Sequence, residues 1–160
     1  MPEITLLGWL HTLIAIIALV AGVFTLAKHK LILPENRSAQ IYLICTFIAA
    51  TTALMIYQHG GFGPAHGLAV LTLLALLFGW LVTKLAILEG VKDYLQALGF
   101  SSTLLFHMIP AITDGLLRLP VGAPILTDPH DPLLRQFYLL FLVLFVIGYI
   151  AQCLWIKKHR

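Results

Sequence analysis

His107, Asp114 and Arg118 stand in a stretch, residues 95–119, that is apolar enough to enter a bilayer. Together with Thr103 they recur at offsets of four, seven and four, which places all four along one face of a helix. Titratable groups inside hydrocarbon are costly unless they face the protein interior, a cavity or a ligand. His11 supplies a second intramembrane imidazole. Counted from residue 4 it lies about 10 Å below the outer surface, and His107, counted back from Arg118, lies roughly 16 Å deep. Tilt brings such depths level.

Three chemistries fit that pair. Neutral imidazoles from facing helices at similar depth could be axial ligands of a b-type haem, so His11 and His107 are the expected cofactor-binding residues. A transition metal could instead be held by His11 and His107 with Asp114, His59 or His66, and Met55 and Met108 would add thioether ligands suited to Cu(I). In the third, His107 and Asp114 form a proton-linked or quinone-contacting pair; two helical turns apart, they would need a bridging water. Each has a plainer counterpart. An intramembrane His often hydrogen-bonds a neighbouring helix, Asp114 and Arg118 are spaced as a surface ion pair, and His59, His66 and His130 fall in turn or loop sequence. No H-E-x-x-H, P-loop, dinucleotide fingerprint or G-x-S-x-G occurs. Cys45 and Cys153 lack metal-site or redox spacing and read as small buried hydrophobes.

The elements that must position these groups follow from composition. The chain is 60% hydrophobic and 11% charged, with a mean hydropathy of +0.96. A soluble domain carries about 25% charged residues. An all-helical, polytopic transmembrane bundle in one domain, 1–160, is expected. Its apolar segments are 4–27, 40–58, 67–88, 95–119 and 133–156, each near the roughly 20 residues a crossing needs. The fourth contains Pro110 and Gly115, so four spans plus a kinked or re-entrant segment is the alternative. Charge favours five. With alternation, Lys28, Lys30, Arg37, Lys84, Lys92, Lys157, Lys158 and Arg160, eight of ten basic residues, fall on one side. The positive-inside rule then makes that side cytoplasmic and the N-terminus periplasmic, in a cell inner membrane. The net charge of +3 therefore reflects topology and does not imply nucleic acid. Trp9, Tyr57 and Tyr138 are expected as one interfacial belt, and Tyr42, Tyr94 and Trp155 as the other. The Pro-rich loop 120–132 is expected to roof the outer end beside the 59–66 turn.

His11 early in the first helix, the Lys28-His29-Lys30 exit and the Arg37-Ser-Ala-Gln-Ile-Tyr42 start of the second resemble a family of small prokaryotic integral membrane proteins. The resemblance covers the first half of the chain. That family's pattern has Gly before the Arg of the second helix, which Asn36 replaces here. The resemblance implies a bacterial polytopic membrane protein and no particular activity. Histidines on membrane helices also resemble the layout of small cytochrome b proteins, in architecture alone.

The expected function is a redox role through haem or a metal in the periplasmic half of the bundle, with a quinone as a further cofactor. The alternatives are a non-catalytic accessory or assembly subunit of a larger membrane complex and, as no internal repeat is evident, less readily a small transporter.

Overall fold

A computed structural model describes residues 5–57, 61–85 and 90–159. Among these the chain forms five helices and no strand: α1 (Leu6–His29), α2 (Arg37–Ala53), α3 (Pro64–Val82), α4 (Lys92–Arg118) and α5 (Pro132–His159). Local signals set the boundaries. Thr5 Oγ1 accepts the Gly8 N–H at 3.1 Å to open α1, and Lys30, in the left-handed region at φ 66°, closes it. Pro64 and Pro132 stand at the first positions of α3 and α5, where a missing N–H costs no helical bond.

α1, α3, α4 and α5 are each long and apolar enough to cross a membrane, and large apolar side chains cover their outward faces. This is a membrane protein. α2 has 17 residues, about 25 Å, against a hydrocarbon core of roughly 30 Å. It nonetheless carries much of the core: Ala39, Tyr42, Thr46, Ala49 and Ala50 are all buried. α4 runs unbroken for 27 residues through Pro110, so the re-entrant alternative does not apply.

Cross-helix contacts give the directions. His11 meets Ala49 and Thr52 while Gly22 meets Tyr42, so α1 and α2 are antiparallel. Tyr42 meets Thr103 and Thr46 meets His107, so α2 and α4 run parallel. Ser101 meets Gln152 and Thr113 meets Tyr138, so α4 and α5 are antiparallel. The bundle therefore has a lysine end, with Lys28, Lys30, Arg37, Lys92, Lys157 and Lys158 at helix termini, and a histidine end holding His11, His66 and His107.

The helices do not pack evenly. α3 and α4 touch through glycines: a Cβ on Gly99 would stand 2.9 Å from the Gly79 backbone, and one on Gly79 would stand 2.6 Å from the Phe100 ring. Small residues are what let helices approach in lipid, where no hydrophobic force drives helix against helix. α5 leans chiefly on α4 and touches the end of α1 through Gln152, which donates to the Lys30 carbonyl; of its residues Leu134, Gln152 and Ile156 are buried.

Candidate functional site

The polar residues at the histidine end converge on α2. His11, half-buried on α1, places Nδ1 3.0 Å from the Ala49 carbonyl oxygen and 3.1 Å from Thr52 Oγ1. A carbonyl only accepts, so Nδ1 carries the proton and donates. In the neutral ring the lone pair is then on Nε2. His107, buried on α4, pairs its Nε2 with Thr46 Oγ1 at 3.1 Å. The two α2 anchor points are three to six residues apart, so the rings attach at heights about 5–9 Å apart.

Beneath them lies Tyr42. Its ring is fully buried, packs against Gly22 of α1 and meets His107 edge-on at 6.5 Å. Thr103 spends its hydroxyl hydrogen on the Phe100 carbonyl, so the Tyr42 hydroxyl donates to Thr103 Oγ1. The expected place of Tyr42 in an interfacial belt is thus overturned: it sits at the junction of α1, α2 and α4. The reason is steric. Gly22 leaves a recess that only a flat ring fills, and Thr103 satisfies the hydroxyl that would otherwise draw the side chain to water.

Asp114 stands at the open edge of the histidine end. It is 64% exposed and pairs with Arg118 at 3.4 Å, the i, i+4 ion pair its spacing allows. It does share a helical face with His107. But α2 runs parallel to α4 with Thr46 beside His107, so it ends, at Ala53, level with Asp114. The stripe emerges from the packed bundle there, and only Thr103 and His107 are enclosed.

His66 is the third imidazole, at the first turn of α3. By helical rise it lies roughly 9 Å further toward the histidine end than His107. Its ring stacks against Phe62 at 5.1 Å and lies tilted against Tyr57 at 4.7 Å. The Gly63 N–H donates to its Nδ1 at 3.1 Å, so in the neutral ring Nε2 bears the hydrogen. That Nε2 is buried with no hydrogen-bond partner among the described residues. As held, His66 presents a hydrogen-bond donor at Nε2. His59 lies outside the described residues.

The remaining expected participants lie apart from these groups. Met55 is exposed, and Met108 lines the opposite flank of α4. The 120–132 loop folds back on the end of α4, with Leu126 N–H donating to Leu116 O at 2.9 Å, and exposes Val121, Ile125 and His130. Among the described residues no three His, Cys, Asp or Glu side chains come together as a metal site would require.

Sequence reasoning missed Tyr42, Thr46 and Thr52. The signal was present: these positions recur every three to four residues with Ala39, Ala49 and Ala50, a stripe of small and hydroxyl side chains of the kind that lines helix interfaces in membranes. No protein-family model, no curated protein and no solved structure matches the chain.

Proposed function

We propose that this chain is a non-catalytic subunit of the bacterial inner membrane, crossing five times with its N-terminus periplasmic and its lysine end cytoplasmic, and serving the assembly or stability of a larger membrane complex. One observation carries the reading. The two imidazoles placed to hold a cofactor each give a ring nitrogen to α2, at 3.0 Å on Ala49 O and 3.1 Å on Thr46 Oγ1. Interhelical hydrogen bonds of this kind fasten a bundle without doing chemistry. The gathering of lysines at one end supports the orientation.

The test is the visible spectrum and metal content of protein purified from membranes. The expected result is no Soret band and no stoichiometric metal. A Soret band that disappears in His11→Ala or His107→Ala overturns the proposal and restores the haem reading. Stoichiometric copper or zinc, lost in the same variants, does so for a metal, which the Nε2 lone pair of His11 would ligate.

A second reading, a redox role through a quinone, is favoured by the buried Nε2–H of His66 between Tyr57 and Phe62. A quinone carbonyl is an acceptor for such a donor, and its flat ring suits an aromatic surround. Ubiquinone titrated into the protein in nanodiscs would quench Tyr and Trp emission saturably in the parent and not in His66→Phe. Equal quenching in both discards this reading.

A further inference from the structure

One open space in the molecule lies away from the histidines, on the flank of α4 that faces α1 and α5. It is a groove of about 560 Å³, within the range of small-molecule sites. Leu104, Leu105 and Met108 of α4 form its floor, Leu26 of α1 one wall, and Phe141, Phe145 and Gly148 of α5 the other. Phe137, Phe141, Phe145 and Tyr149 recur every four residues on α5, with Phe137 against Phe141 at 6.1 Å and Phe145 stacked on Tyr149 at 6.2 Å. Three of these rings, Phe141, Phe145 and Tyr149, line the groove along α5. At the lysine end the gap is tied shut: Ser101 donates to Gln152 Oε1 at 3.0 Å, and Gln152 Nε2 donates to the Lys30 carbonyl at 3.0 Å. The groove thus has a closed polar end and an open apolar body.

Its shape selects the occupant. From Trp155 to Phe141 it extends about 21 Å along α5, more than the roughly 15 Å of one hydrocarbon leaflet. A single extended hydrocarbon chain matches that length and the apolar lining. Charge selects the head. Lys30 lines the groove at its closed end, its ammonium donating one hydrogen bond to Ala27 O at 2.7 Å with two donors left over. Around it the same end carries Lys28, Arg37, Lys84, Lys92, Lys157 and Lys158 against Glu35 and Asp93 among the described residues. Basic pockets between membrane helices bind anionic headgroups.

We propose that this groove binds one acidic glycerophospholipid from the lysine-side leaflet, an acyl chain along the Phe ladder and the phosphate at Lys30. The site is separate from the histidine end, and the proposal stands whether or not the accessory role does.

The test uses the full chain in nanodiscs containing equal phosphatidylglycerol and phosphatidylcholine, followed by native mass spectrometry. The parent should retain one phosphatidylglycerol per chain, at least fivefold over phosphatidylcholine. Gly148 lines the groove and a Cβ there meets nothing within 4 Å, so Gly148→Trp directs a large side chain into the space and should lower lipid retention at least fivefold. Lys30→Gln should keep a lipid and lose the preference for the acidic one. Leu144→Trp, which fills the groove from the next turn, is the second blocking variant should Gly148→Trp not fold. Equal retention of the two lipids by the parent overturns the proposal. So does full retention by the blocked variant, or a parent that binds a second copy of itself in place of lipid and loses that copy in Gly148→Trp.

Discussion

On the flank of α4 that meets α2 and α3, glycine lies on glycine, Tyr42 fills the recess at Gly22, and hydroxyls pair with imidazoles across the interfaces. On the flank that meets α5, aromatic rings stand in a row and a groove of about 560 Å³ stays open. Both flanks are apolar. What separates them is side-chain size and the supply of polar partners. In a bilayer, hydrocarbon against hydrocarbon gains little over hydrocarbon against lipid, so helices close up only where small residues permit contact and hydrogen bonds reward it. Hydroxyls and glycines build the packed flank; phenylalanines build the open one.

The contrast breaks most sharply at Gly99. Leucine there would drive its Cβ into the Gly79 backbone, which cannot rotate away, so α3 and α4 must part. A loss of about 3 kcal/mol or more is expected, the upper range for overpacking, read from unfolding in mixed micelles. Tolerance of Gly99→Leu would show that the two glycines do not meet.

A smaller effect sharpens the account of the imidazoles. In a double-mutant cycle of His107→Ala with Thr46→Val, the coupling should be about 0.6 kcal/mol and no more than about 1.7, the range for interhelical hydrogen bonds in membranes. A coupling of zero would detach His107 from α2 and reopen its use as a ligand.

The smallest effect is expected on the open flank. Gly148→Leu should change stability by no more than about 0.5 kcal/mol, or raise it by about that much as helix propensity improves. A loss as large as that of Gly99→Leu would mean that α5 packs far more closely than described. Set side by side, the two leucine variants test the comparison in one assay.

Much of the architecture was legible before any coordinates. The five apolar segments at 4–27, 40–58, 67–88, 95–119 and 133–156 became five helices whose ends moved by six residues at most. The depth estimates put His11 and His107 at the same end, where they are found. The sequence also showed Thr103 and His107 on one face, and both are buried. Asp114 shared that periodicity and escaped burial because α2 stops beside it. Tyr42 was misplaced because a tyrosine near a span terminus resembles an interfacial anchor until the recess opposite it is known.

By itself the sequence determined that this chain is a bundle of apolar helices with its cations gathered at one end. Hydrocarbon leaves a backbone no other partner than itself, so an apolar run of sufficient length has to become a helix. Tertiary structure alone decided what each polar side chain would touch. Periodicity assigns a residue to a face but does not name the helix across from it. Thus α2 received both imidazoles, Tyr42 turned inward, and the space between α1 and α5 was left to the surrounding lipid.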